Sequence, residues 1–259
     1  MQEQKIIRKV TGIGNGAHIF APKDWINEDV VITLIPKIDI KQEIIKELYP
    51  YLDKISGVYL YGSYARNEQK KDSDIDILVI AKEKFNIKKY GFDIIILKEN
   101  TIKSAIKINP ILMYSIIKES KSIINSQLLE TLKKIKINKN DFNQFIENTK
   151  GILKIDKGIL KIDKEFENYA PDSVIYSLIL RLKGIFIINT LLKNEKYSNH
   201  LFKHWLLKKI PELDYEEIYE SYEIIKKDKK DKDKNSMKYA ELLIILLEEE
   251  LKNFDKNDK

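Results

Sequence analysis

Residues 59 to 80, YLYGSYARNEQKKDSDIDILVI, constrain the fold more than any other stretch. An apolar run stops at Gly62-Ser63, a polar turn follows, and a second apolar run resumes with Asp74 and Asp76 set into its start. Such runs, bounded by glycine and polar residues, predict two strands. Residues two apart on a strand share a face, so Asp74 and Asp76 are expected to point one way while Ile75, Ile77 and Val79 enter the opposite layer. Two carboxylates held that close repel each other and are costly to desolvate unless a cation or a proton lies between them. The segment SYARNEQ after Gly62 reads as a helix start, and free N–H groups there, with a glycine permitting close backbone approach, suit a phosphate.

The run YGFDIIIL at 90 to 97 predicts a third strand and offers Asp93 where an apolar side chain would pack better. Three acids on two neighbouring strands make a cradle for a divalent ion. The chain has no cysteine, so thiolate sites and disulfides are excluded and any metal must sit on oxygen or histidine. Hard oxygen ligands favour Mg²⁺ or Mn²⁺ over zinc.

Gly62, Ser63, Asp74, Asp76 and Asp93, in this order and spacing, resemble the DNA polymerase beta-like nucleotidyltransferase superfamily. The wording GSYAR…SDIDILV is most similar to its minimal nucleotidyltransferase branch of archaeal type, where Ala65, Arg66 and Ser73 also match. Asn67 departs from that branch, which usually has glycine there, and the link from Asp76 to Asp93 is short, leaving little room for a helix between the strands. The resemblance implies an α+β fold: a nucleotidyltransferase α/β domain with a mixed sheet, flanked here by a small N-terminal β unit and a C-terminal helical bundle. It implies two-metal catalysis in which Asp74, Asp76 and Asp93 hold the ions and a nucleoside triphosphate, ATP or another, gives up its monophosphate to a hydroxyl on a protein or small molecule. Asp93 would complete the site that activates that hydroxyl. Gly62, Ser63, Arg66 and Ser73 would then line the nucleotide. Arg66 supports leaving-group charge in this reading, and a surface arginine is its plain alternative. Lys70 and Lys71, in the loop before the acids, read as solvated.

The flanks are organised differently. Residues 1–36 have short apolar runs punctuated by Gly12, Gly14, Gly16 and Pro22, too short to bury much alone. The GIGNGA sequence lacks the surrounding βαβ unit of a dinucleotide site. This segment resembles archaeal AbrB-type swapped-hairpin modules, which implies a homodimer and, more remotely, DNA binding through residues 1–36; a DNA-binding or antitoxin-like regulator with a vestigial catalytic fold is the alternative function. His18 reads as a strand residue. Residues 37–125 form the expected nucleotidyltransferase domain, opening with a helical stripe at 38 to 53. No strong strand signal follows residue 99, and residues 126–259 read as a helical domain similar to the HEPN type. The Arg-then-His pair of that group's ribonucleases is missing, since His follows neither Arg66 nor Arg181 at that distance.

GILKIDK occurs in tandem at 151 to 157 and 158 to 164, placing Ile152, Ile155, Ile159 and Ile162 on one heptad seam, read as a local duplication in a packed helix. His200 and His204 lie one turn apart and read as a basic face with Trp205 turned inward. The stretch 226 to 235 reads as a solvated loop. Net charge is +6, with sixteen basic against twelve acidic groups in residues 37–125, which suits a phosphate-bearing ligand more than a long DNA face. No uninterrupted apolar run approaches the ~20 residues a membrane span requires and no charged-then-apolar leader opens the sequence, so a cytoplasmic protein without membrane partners is expected.

Overall fold

The computed structural model describes residues 6, 8–32, 39–70, 72–166, 169–226 and 235–256. The chain divides into two compact units, 1–46 and 47–259. In the first, β1 (Thr11–Ile13) and β2 (Gly16–His18) form an antiparallel hairpin. Its two-residue turn starts at Gly14 with φ +53, the geometry that glycine at the first central position of a tight hairpin supplies. GIGNGA is thus a hairpin turn. His18 pairs with Thr11 across the strands, its ring 3.1 Å from the Thr11 hydroxyl. None of the described residues between 6 and 32 is buried. Helix α1 (Ile40–Leu48) is capped by Asp39, whose carboxylate accepts from the Lys41 and Gln42 amides at 3.0 and 3.3 Å.

The second unit is built on a four-stranded sheet, β3 (Ile55–Tyr61), β4 (Ile75–Ala81), β5 (Phe92–Lys98) and β6 (Lys121–Ile124), in the order β5-β4-β3-β6. Strand β4 runs antiparallel to β3 and parallel to β5, so the sheet is mixed. The parallel step is closed by residues 82–91 without a helix, as the short link requires. β4 is buried from Ile77 to Ala81 because covered faces lie on both sides of it. Between β3 and β4 sits the short helix α2 (Gly62–Arg66). Helices α3 (Ile102–Ile108) and α4 (Pro110–Glu119) lead into β6, and α5 (Ser126–Lys133) follows it. Strand β6 has no distinct signature in sequence. It is fixed by pairing with β3 and by Asn125 just after it, in the left-handed region at φ 63, which accepts from the Tyr59 hydroxyl at 3.1 Å and donates to the Ser56 carbonyl at 2.8 Å.

The rest is helical: α6 (Asn143–Phe166), α7 (Asp172–Leu192), α8 (Asn199–Lys209), α9 (Tyr215–Lys226) and α10 (Met237–Lys256), with a two-residue bridge between β7 (Tyr169–Ala170) and β8 (Asn235–Ser236). Helix α7 is apolar nearly all round because it is central. It is long and apolar enough by composition to cross a membrane, yet 61% of that stretch is buried in the fold. One core runs from Tyr59, Leu78 and Ile80 through Met113 and Ile116 to Leu178, Leu182 and Leu243, so residues on both sides of position 125 share it. The boundary between the two units falls at Lys46/Glu47.

Helix α6 corrects the expected seam. Its buried face is Ile146, Thr149, Leu153, Asp156 and Leu160, while Ile155 is 58% and Ile162 60% exposed. Each GILKIDK copy carries Leu and Ile on different faces, and the fold packs the leucine face. His200 and His204 are exposed, and Trp205 packs on Phe186 and Phe202 with ring centres 5.3 and 5.8 Å away. Of the stretch 226 to 235, residues 227–234 lie outside the described residues.

Candidate active site

The site forms along one end of the sheet. Tyr61, the last residue of β3, faces Asp76 of β4, and Asp76 faces Asp93 of β5 in register. The two carboxylates thus sit side by side on parallel strands. Asp74 lies one residue before β4 begins and is exposed, as is Asp93, while Asp76 is half-buried. Burial and then the neighbouring Asp93 push the Asp76 carboxyl up to about 6, against a hydrogen bond from the Ser63 backbone N–H and the Arg66 charge. The Tyr61 hydroxyl is pushed well above its usual range by burial and by Asp93, Asp76 and Glu119. The strands thus gather like charges faster than the surroundings offset them.

Gly62 is the hinge of the site. It has φ +70, and a Cβ there would lie 1.8 Å from Asp76 Oδ2. Only glycine permits both the turn and the close approach. α2 then ends at Asn67, in the left-handed region at φ 59. Asparagine is the best non-glycine residue for such a helix end, so this departure from the expected glycine preserves the backbone. Ser73 closes the turn before the acids, its hydroxyl accepting from the Lys70 N–H at 2.8 Å. Lys70 is exposed, and Lys71 lies outside the described residues.

Sequence reasoning missed the other wall. Glu119, at the end of α4, accepts from the Gly62 N–H at 2.9 Å and ion-pairs with Arg66. Arg66 also pairs with Glu68 at 2.9 Å, and Glu68 accepts from the backbone and side-chain N–H groups of Asn199 on α8, both at 3.0 Å. Tyr197 donates to Asn199 at 2.6 Å, and its ring has Arg66 and Lys183 each 5.6 Å from its centre. A cleft of about 660 Å³ opens beside this network. Arg66, Lys118, Lys121, Lys133 and Lys196 line it against Glu119 and Glu130, so its lining is net basic. It meets the Gly62 turn through Arg66 and Glu119 and does not include the three aspartates.

The donor set suits a hard divalent cation, because Asp76 and Asp93 present neighbouring like charges, only partly offset by the Ser63 N–H and Arg66, from oxygen ligands alone. Among the described residues no three acidic or histidine side chains are gathered into a ready metal cage. The structure unites Asp76 with Asp93 and leaves Asp74 two residues away at the strand's mouth.

A family model for the nucleotidyltransferase domain matches residues 38–140. A Methanocaldococcus jannaschii protein provisionally named a protein adenylyltransferase is 37% identical over 84 residues, covering 32% of this chain and 85% of that one. A second protein of the same organism and provisional name is 42% identical over 82 residues, covering 29% of this chain and 79% of its own length. Among solved structures, a spectinomycin adenyltransferase from Enterococcus faecialis aligns with 82% of this chain and 97% of its own, at 15% identity and TM-score 0.43.

Proposed function

The chain belongs to the DNA polymerase beta-like nucleotidyltransferase superfamily, and on that premise we propose that it transfers a nucleoside monophosphate, AMP from ATP, to a hydroxyl on a protein or small molecule. The observation that carries this reading is the in-register pair Asp76 and Asp93 beside a glycine turn packed directly onto Asp76. Asp76 and Asp93, with Asp74 as a further ligand, would hold Mg²⁺ or Mn²⁺. When bound, such ions neutralise charge on the phosphates and lower the pKa of an attacking hydroxyl.

The chain's own residues do the rest. The Gly62–Ser63 turn would line the edge where the nucleotide's phosphates lie, its own N–H groups being held by Glu119 and Asp76. Asp93, exposed at the rim, would accept the proton of the incoming hydroxyl. Ser73 shapes the turn that delivers Asp74. Arg66 reaches a phosphate only by exchanging one of its two carboxylate partners. Residues 126–259 serve as the acceptor-side wall, and the basic cleft favours acceptors carrying negative charge. Residues 1–36, whose described part buries nothing alone, pair two copies into a homodimer. This reading supports a soluble, cytoplasmic setting.

The test is incubation with α-labelled nucleoside triphosphates, a divalent ion and candidate acceptors. Wild-type protein should label an acceptor, preferring ATP, and Asp76→Ala should not. Equal labelling by both proteins would remove the basis of the proposal.

A further inference from the structure

We infer that Glu119 is a positioning residue that holds the catalytic turn in place, an inference that rests on the transferase reading above. Gly62 is the narrow point of the site, since its missing Cβ leaves the space that the Asp76 carboxylate fills. Any shift of the Gly62 backbone therefore moves the surface against which Asp76 rests. The Ser63 N–H, next in the chain, donates to that same carboxylate. What fixes Gly62 thus fixes Asp76 through two adjoining contacts.

Glu119 is what fixes Gly62. One of its oxygens accepts from the Gly62 N–H at 2.9 Å and the other is engaged by Arg66. Its side chain is only 14% exposed. A third carboxylate near Asp76 and Asp93 is electrostatically unfavourable, and it adds to the charge that raises Asp76. Such a group persists when its specific contacts outweigh that repulsion, and Arg66 supplies the compensating charge. Both oxygens being engaged, Glu119 is no free base for an acceptor hydroxyl. Arg66, in turn, is committed to Glu119 and Glu68, and Glu68 ties the assembly to Asn199. The turn that carries Gly62 is braced from α4 and α8, elements far from it in sequence.

Glutamine at position 119 keeps an acceptor for the Gly62 N–H, whereas alanine removes it, which gives a graded test. Glycine-selective isotope labelling follows the Gly62 amide among the nine glycines by hydrogen exchange. In wild type and Glu119→Gln that amide should exchange slowly; in Glu119→Ala it should exchange about tenfold faster. In the transfer assay Glu119→Ala should lose about 10- to 100-fold in kcat, with the nucleotide KM within about twofold, and Glu119→Gln should recover most of the loss. Wild-type exchange and kcat in Glu119→Ala would overturn the inference. So would equal loss in both variants with an equal fall in melting temperature, which marks a purely structural role. If wild-type protein transfers no label while Gly62 exchange still follows residue 119, the transferase reading fails and the brace on Gly62 stands.

Discussion

The Asp76 carboxylate occupies the space where a side chain on Gly62 would begin, 1.8 Å from the position of its Cβ. The turn and the acid are one packed unit. Gly62→Ala must either abandon φ +70 or push Asp76 aside. It should cost about 1–3 kcal/mol by thermal melting and lower transfer about 100-fold, with Gly91→Ala, also at positive φ but with open space, as the control that separates strain from collision.

Asp76 also sets a pH dependence. Its folded carboxyl titrates near 6, above the ordinary 3.8, so the charged form is disfavoured and stability rises as pH falls through about 6. A fully enclosed carboxyl so displaced would be worth about 3 kcal/mol. Solvent screening at this half-exposed position reduces that to about 1 kcal/mol. In chelator, Asp76→Asn should melt higher than wild type at pH 7, and the gap should close by about pH 4.

Lys183 gives the opposite sign. Burial, followed by the charges of Lys226 and Arg66, lowers it to about 8 from 10.5. Its charged form is therefore strained in the folded protein below that value, and stability is regained as pH rises from about 8 through the unfolded value. Lys183→Met should raise the melting temperature at pH 7 by about 4 °C, with the difference shrinking toward pH 10 as measured by calorimetry.

On α6, Leu153 is 6% exposed and Ile155 58%. Leu153→Ala should cost about 2–4 kcal/mol in chemical denaturation, and Ile155→Ala less than about 0.5. A reversed order would restore the isoleucine seam as the packed face.

These residues also show what the sequence could disclose. The places of Gly62, Ser63, Asp76 and Asp93 were legible because each signal is local: a glycine between strand and helix, and a lone carboxylate set into an apolar run. The strand spacing read for Asp74 and Asp76 did not hold, because β4 begins only at Ile75. Asn67, a departure on paper, keeps the backbone region that glycine would have taken. Glu119 was not legible, because its partner Gly62 lies 57 residues away and nothing near it in the chain marks it. β6 was missed for the same reason, its four residues being held by pairing with β3. The α6 seam went astray because the repeated GILKIDK offers apolar residues on two faces. Which face packs is decided by α7, where Ser177 donates to Asp156 at 2.8 Å.

The most direct measurement compares ATP labelled at the α-phosphate with ATP labelled at the γ-phosphate, using wild-type protein and Asp93→Asn. Label should reach the acceptor from the α position alone, with pyrophosphate released, and Asp93→Asn should abolish it. Label arriving from the γ position, or undiminished α-labelling in Asp93→Asn, would contradict nucleotidyl transfer at the Asp76–Asp93 pair.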